Sequence, residues 1–330
     1  MRSQARKRSV AVPVLSSTLR MLMKNPVSWL IIGLIALFTA LYPKSFLSGI
    51  NLESILKRFA VTSMLSVGPT FVVLMGSLDL SYIGIWMFGG ALVWLLFPYL
   101  GIASIFIYPI FGLAVGFVNG IVHVKTKIPS FILTLAVTVV LSYSTTVIAY
   151  DIYRVLTLAV PEYRFLTGSL IRHLPTTFLL ALPVLVLSLF SMNFMKLGTY
   201  LCAIGSNEEG AELAGINVKK YKVLGFAVSG FLTGLGSIAL YSYLGARAPV
   251  TLDLGDMVRG LAAIVLGGTS LVGGVGGPHR TLFGALAYTL IYTGLMLTGI
   301  DPNHFKLYIG LTLLVAMSIA SRRLKGVVIA

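Results

Sequence analysis

Long apolar runs, separated by short polar stretches, follow one another along almost the whole chain. Hydrophobic residues make up 57% of its 330 residues and charged residues only 11%, whereas a soluble protein carries about 25% charged residues. So few charged side chains cannot cover the surface of a soluble globule. The pattern therefore predicts an all-α, polytopic integral membrane protein.

Ten apolar segments come close to the length of about 20 residues that a helix needs to cross a bilayer. They lie near residues 28–42, 54–75, 80–98, 102–124, 130–149, 175–194, 222–243, 257–272, 281–299 and 305–320. Two glycine-containing polar stretches, residues 75–81 and 266–278, interrupt the apolar pattern. We expect broken helices there, which are tolerated at membrane depth only where protein or a water-filled cavity surrounds them. The sequence thus predicts one transmembrane domain over residues 28–320, with a basic segment 1–27 before it and a tail 321–330 after it.

Lysine and arginine residues concentrate on one side of this predicted topology. If the N-terminus is cytoplasmic, 16 of the 25 lie in cytoplasmic segments, with Lys222 counted at the edge of residues 195–221, as the positive-inside rule requires. Membrane flanks then explain the net charge of +15 better than nucleic-acid binding does, because no pattern of stacking aromatic residues accompanies it. This topology places both termini and the polar segment 195–221 in the cytoplasm, and it places the loop 150–174 outside.

A charged stretch stands out within the polar segment 195–221, where three of the chain's ten acidic residues fall within five positions. Ser206 and Glu209 match a capping box, in which the two side chains accept backbone N–H groups at the start of a helix. Gly215 stands where a glycine commonly ends a helix. We therefore expect one short helix over residues 206–215 on the cytoplasmic face.

Carboxylate and amide side chains at membrane depth are few. Asp79 is the only acidic residue inside an apolar core segment, where a carboxylate costs about 3 kcal/mol and normally faces a partner or water. In one interpretation it lines a path or a hinge; in the other, Asp79 acts with Ser77 and Ser81 to cap the next helix. Asn119 fits either a hydrogen bond between helices or a cavity lining. Trp86 fits either packing or stacking on a sugar ring.

Motifs of catalytic chemistry are absent from the sequence. The four histidines are scattered without metal-ligand spacing, and the single cysteine, Cys202, can form neither an internal disulfide nor a thiolate cluster. Residues 268–274 have the glycine spacing of a phosphate-binding P-loop but lack its lysine. Active transport by this chain would therefore take its energy from an ion gradient or from another subunit. Because an ion-coupled carrier usually has several buried ionisable residues, we favour energy delivered through a protein contact.

Five stretches, in the same order along the chain, resemble the permease subunits of bacterial ABC importers of the ribose, xylose, galactose and autoinducer-2 type. In chain order they are Leu74–Ser81 (LMGSLDLS), Val118–Gly120 (VNG), Lys127–Leu135 (KIPSFILTL), Ala203–Val218 (AIGSNEEGAELAGINV) and Ala262–Gly274 (AAIVLGGTSLVGG). The resemblance implies import of a sugar or sugar-like solute. Because that family is distantly similar to branched-chain amino-acid permeases, amino acids or nucleosides stay open as the alternative solute. An ion-coupled carrier without an ATPase partner is the alternative from another class.

The resemblance implies a multi-pass subunit of a bacterial or archaeal cell (inner) membrane, with no catalytic site, metal or cofactor of its own. It implies a second permease subunit, cytoplasmic ATPase subunits that bind ATP and Mg²⁺, and an extracytoplasmic solute-binding protein. It assigns ATPase coupling to Ser206, Asn207, Glu208, Glu209, Glu212 and Gly215. It puts Asp79 and the second break, with Gly267, Gly268 and Thr269, near the translocation path. From their polar or aromatic character, we expect Ser81, Trp86 and Asn119 to line the same path. We expect the external loop 150–174 to dock this binding protein through Arg154, Glu162, Arg164 and Arg172.

Overall fold

The computed structural model describes residues 26–151, 158–171 and 173–300, together with residues 304, 307, 308, 310 and 311. The described chain is mainly helical. Its α-helices are α1 (Pro26–Leu41), α2 (Pro43–Phe46), α3 (Gly49–Leu74), α4 (Tyr82–Leu100), α5 (Ile107–Thr126), α6 (Ser130–Asp151), α7 (Thr176–Phe194), α8 (Lys196–Ser206), α9 (Glu208–Leu213), α10 (Val218–Tyr243), α11 (Leu254–Leu266) and α12 (Pro278–Leu297). Two 3-10 helices and four short strands lie between them: Gly101–Phe106, Pro161–Leu166, β1 (Leu158–Ala159), β2 (Ser169–Ile171), β3 (Leu174–Pro175) and β4 (Arg247–Ala248). Residues 1–25 of the basic N-terminal segment, most of the tenth expected span and the C-terminal tail lie outside the described residues.

Five helical stretches of the described residues are apolar and long enough to cross a membrane. They are Tyr82–Thr126, Ser130–Ala149, Thr176–Phe194, Val218–Tyr243 and Pro278–Leu297. The first has 45 residues, which as one helix would be about 68 Å long against a hydrocarbon core of about 30 Å. A 3-10 helix divides it into α4 and α5, which fold back so that the ring centroids of Phe88 and Phe111 lie 5.5 Å apart. The expectation of a polytopic helical membrane protein is confirmed, while the count of ten spans stays a prediction.

The most extensive packing between two helices joins α5 to α10. Glycines recur at every fourth position on the facing sides, as Gly112 and Gly116 on α5 and Gly230 and Gly234 on α10. A Cβ atom added at Gly230 would lie 2.0 Å from the carbonyl oxygen of Gly112. The absence of side chains lets the two backbones touch, as in other close membrane helix pairs. Because α10 also packs against α3, α4 and α7, it lies at the centre of the bundle.

Two expectations about the helices are wrong. Residues 257–272 do not form one span, because α11 ends at Leu266 and Gly268 has a φ of +81° that no α-helix continues. With 13 residues, α11 is about 20 Å long and too short to cross the hydrocarbon core alone. The polar segment 195–221 holds two helices rather than one, because apolar residues of α8 such as Leu201 are buried in the core.

The segment 158–171 is fixed at the opposite end of the bundle from α9. Strand β1 pairs antiparallel with β4, and the buried ring of Tyr163 packs against that of Tyr241, near the end of α10, with 5.8 Å between centroids. Helix α9 precedes the start of α10. Since α10 has 26 residues, or about 39 Å, the two segments lie on opposite faces of a membrane-thick bundle.

Candidate functional site

The predicted break between α3 and α4 is confirmed, and its peptide groups bond to hydroxyl side chains of α6. Leu78 N–H donates to Ser130 Oγ at 2.9 Å, and Leu80 N–H donates to Thr134 Oγ1 at 3.0 Å. Thr138 Oγ1 donates to Leu80 O at 2.6 Å. The irregular backbone is thus satisfied by protein, which membrane depth requires. Sequence reasoning missed this role of α6, although hydroxyl residues at every fourth position were the available signal.

A buried polar cluster surrounds Asp79, which is only 1% exposed. Its Oδ1 accepts hydrogen bonds from the backbone N–H (2.9 Å) and the hydroxyl (2.6 Å) of Ser81, and its Oδ2 accepts one from Ser229 Oγ of α10 (2.7 Å). Asn119 of α5 donates from Nδ2 to Ser81 Oγ at 3.0 Å. Three residues predicted for the path therefore meet, together with Ser229, which sequence reasoning missed. Asp79 accepts the Ser81 N–H just before α4, but Ser81, at the N-cap position of α4, makes no side-chain capping hydrogen bond. A role of Asp79 in translocation stays a prediction.

Of the other residues predicted for the path, Trp86, Gly267 and Thr269 make packing or hydrogen-bond contacts, whereas a Cβ atom added at Gly268 would meet nothing within 4 Å. Trp86 is 4% exposed and belongs to the main hydrophobic core. A Cβ atom added at Gly267 would lie 2.1 Å from the backbone oxygen of Arg280. Thr269 Oγ1 accepts a hydrogen bond from Gly277 N–H at 3.3 Å. The contacts of Gly267 and Thr269 hold the second break, which the structure confirms between α11 and α12, against the start of α12.

The two breaks touch each other and the end of α8. Gly274 N–H donates to Leu74 O at 2.9 Å, which ties the second break to the end of α3. A Cβ atom added at Gly205 of α8 would lie 2.0 Å from Leu74 O and 2.5 Å from Gly274 N. One added at Gly273 would lie 2.6 Å from Gly76 N. We call these four glycines, Gly76, Gly205, Gly273 and Gly274, the glycine junction, since any larger residue there would push the three backbone segments apart.

The capping box expected at the start of α9 is wrong. Helix α8 continues through Ser206, whose Oγ donates to Cys202 O at 2.8 Å. Asn207 is the cap instead, because its extended backbone lets Oδ1 accept the Gly210 N–H at 2.9 Å. The predicted end is confirmed, since Gly215 has a φ of +82° and the paired hydrogen bonds of a Schellman motif surround it. Helix α9 is therefore six residues long rather than the ten expected over 206–215.

Helix α9 presents an acidic surface with an apolar residue on it. Glu208, Glu209 and Glu212 are all exposed. Leu213, which sequence reasoning missed, is 90% exposed. Lys222 Nζ lies 2.6 Å from Glu208 Oε2 and ties α9 to the start of α10. Helix α9 is fixed at both ends and carries an exposed leucine beside three exposed carboxylates.

Arginine and tyrosine side chains line a narrow cleft between α3, α10, α11 and α12. The guanidinium of Arg58 lies 4.5 Å from the centroid of the Tyr292 ring. Arg259, which also lines the cleft, pairs with Asp256 at 3.0 Å. Ionisable residues within a membrane bundle mark solute paths. Sequence reasoning counted both arginines only as charges, although each falls within an expected span.

The structure describes two of the four residues that were predicted to dock the binding protein. Glu162 and Arg164 are exposed on the 3-10 helix Pro161–Leu166. Phe165, which was not predicted, is 57% exposed beside them. Arg154 and Arg172 lie outside the described residues. An aromatic ring flanked by opposite charges is a surface that a folded protein partner can cover.

The same face is held to α3 by Glu53. Lys57 Nζ lies 2.8 Å from Glu53 Oε1, and Ser169 Oγ donates to the same oxygen at 2.7 Å. These two hydrogen bonds, the one from Lys57 first, hold the pKa of Glu53 below its ordinary value. The hairpin of β2 and β3 is thereby fixed against the start of α3.

Sequence comparison with known proteins places this chain among transport proteins. The sequence profile described as "Branched-chain amino acid transport system / permease component" matches residues 51–317. The ribose import permease of Haemophilus influenzae is 31% identical over 298 residues, which are 87% of this chain and 90% of the relative. The fructose import permease of Rhizobium meliloti is 29% identical (89% and 84% covered), and the xylose/arabinose import permease of Sulfolobus acidocaldarius is 27% identical (89% and 85%). No solved structure gives a significant match.

Proposed function

The chain belongs to the family of branched-chain amino acid transport system permease components, and we propose that it is the membrane-spanning subunit of a binding-protein-dependent ABC importer for a sugar or sugar-like solute. Sugar import permeases that align over most of both chains support this choice of solute. The family description keeps amino acids as the alternative solute, with nucleosides beside them. Binding measurements on the partner solute-binding protein separate these three classes.

In this proposal the chain hydrolyses no ATP itself. Partner subunits bind ATP and Mg²⁺. Helix α9 binds in a groove on the surface of one such ATPase subunit, through Leu213 and the carboxylates beside it. The observation that carries the proposal is the glycine junction. Asn207 alone separates α9 from α8, and α8 ends at Gly205 and Ser206 against both breaks. A force on α9 therefore reaches the membrane-embedded backbone without passing through a flexible linker.

The breaks are suited to respond to that force. Their irregular backbone has no continuous helix to resist bending, and the Asp79 cluster joins the first break to α5 and α10. Two packed arrangements of these segments would open the path to one face and then to the other. On the face opposite α9, the solute-binding protein docks on Glu162, Arg164 and Phe165. The released solute then meets the tyrosine and arginine side chains of the narrow cleft.

A glycine substitution at the junction tests the coupling. The full-length chain is reconstituted in vesicles with its ATPase subunits and binding protein, and ATP hydrolysis and solute uptake are measured together. Gly205→Ala is expected to lower uptake per ATP at least tenfold, because its Cβ atom forces α8 away from Leu74 and Gly274. Gly33→Ala is the matched control, since a Cβ atom there meets nothing within 4 Å.

The same measurements of ATP hydrolysis and solute uptake distinguish an ABC importer from an ion-coupled carrier. Unchanged uptake per ATP in Gly205→Ala would refute coupling through the junction. Uptake driven by a proton or sodium gradient, with no ATPase subunit retained during purification, would refute the ABC importer assignment and favour an ion-coupled carrier.

A further inference from the structure

An apolar groove of about 340 Å³ lies between the last turns of α5 and the first turns of α10. Its walls are aliphatic and aromatic, and they include Phe117, Ile121 and Val124 on α5 and Val223 on α10. Phe117 and Val124 are seven positions apart, so this wall extends about 10 Å along the helix axis. The groove therefore has the shape and chemistry to hold several methylene groups of an extended acyl chain.

Three lysines stand at one end of this groove. Lys125 belongs to the last turn of α5, and Lys219 and Lys220 belong to the first turn of α10. Among the described residues, no carboxylate lies within ion-pair distance of any of the three, whereas nearby Lys222 pairs with Glu208. Because α5 ends and α10 begins here, the lysines lie at the level where a bilayer places its headgroups. The groove thus combines an apolar wall inside the membrane with uncompensated positive charge at the surface.

We propose that this groove binds one anionic phospholipid, with its phosphate at the three lysines and one acyl chain along the apolar wall. Basic pockets between membrane helices recognise anionic headgroups in this way. A soluble subunit could cover the lysines, but the wall near Phe117 lies about 12 Å further into the membrane than Lys125. A lipid pairs its phosphate with the lysines and covers the apolar wall with its acyl chain, whereas a soluble partner reaches only the lysines. The inference needs only the membrane-spanning fold and is independent of the transported solute.

Native mass spectrometry of the full-length chain tests the headgroup half. Phosphatidylglycerol and phosphatidylcholine compete in equal amounts for the purified protein. Since each lysine near an anionic lipid contributes about fivefold to binding, we expect the parent chain to prefer phosphatidylglycerol at least tenfold. The triple variant K125Q/K219Q/K220Q should bring the preference within twofold. The control K44Q/K196Q removes two exposed lysines that do not line the groove and should keep the preference.

Fluorescence quenching in vesicles tests the acyl-chain half. Phe117→Trp places a reporter in the wall, and its signal is taken as the difference from the parent chain. Brominated phosphatidylglycerol should quench this difference signal several times more strongly than brominated phosphatidylcholine at equal mole fraction. Equal quenching by the two lipids, equal binding of the two by the parent chain, or an undiminished preference in the triple variant would each overturn the proposal.

Discussion

The substitution Thr134→Val isolates the contribution of one hydroxyl to the first break. Valine keeps the shape of threonine but removes Oγ1, which accepts the Leu80 N–H at 3.0 Å. The amide of Leu80 is then buried without a partner, which costs about 1–3 kcal/mol. The break should therefore open more often, and amide hydrogen exchange within residues 75–81 should be faster by about 5- to 150-fold.

The same helix offers a matched control for this prediction. Thr145 is also 0% exposed, but its Oγ1 donates to Leu141 O of its own helix at 2.9 Å. That carbonyl belongs to the helical hydrogen-bond ladder, so Thr145→Val removes a redundant bond and should leave exchange within residues 75–81 unchanged. Exchange is measured by mass spectrometry on full-length protein in detergent micelles. Equal exchange of residues 75–81 in the two variants would refute the claim that α6 supports the broken backbone.

Two further substitutions test the packing and the corrected helix boundary. Gly230→Ala places a Cβ atom 2.0 Å from the backbone oxygen of Gly112. This overlap should destabilise the protein by about 1–3 kcal/mol, which is measured as a lower melting temperature. An unchanged melting temperature would contradict the close contact of α5 and α10. Asn207→Ala should remove the cap of α9, at a cost of about 1 kcal/mol, and speed amide exchange at Gly210, whereas Ser206→Ala should not. Faster exchange in Ser206→Ala alone would restore the capping box that the structure excludes.

The membrane class and the two breaks could be predicted because they depend on composition over many residues. A long apolar run has few alternatives to a membrane helix, and a polar stretch inside such a run has few alternatives to a break. The contact of Asp79, Ser81 and Asn119 could also be predicted in outline, since carboxylate and amide groups at membrane depth need hydrogen-bond partners or water.

The contacts between distant backbone segments could not be predicted in the same way. The chain has 34 glycines, and nothing local distinguishes Gly205, which touches two other segments, from Gly33, which touches none. The cap of α9 depended on a choice between two neighbouring residues. Serine and asparagine are equally common as helix N-caps. Because α8 continues through Ser206, Ser206 has helical backbone, and Asn207 is the first residue that can cap α9.

The most direct measurement of the central claim is ATP-driven solute uptake by vesicles that contain the chain, its ATPase subunits and its solute-binding protein. Leu213→Asp is the decisive variant, because a residue that is 90% exposed can be replaced with an effect on stability of about 0.5 kcal/mol or less. We expect uptake to fall at least tenfold, and the ATPase subunits to dissociate from the variant while the chain itself stays folded. Full uptake by Leu213→Asp, with the ATPase subunits still bound, would contradict coupling through α9.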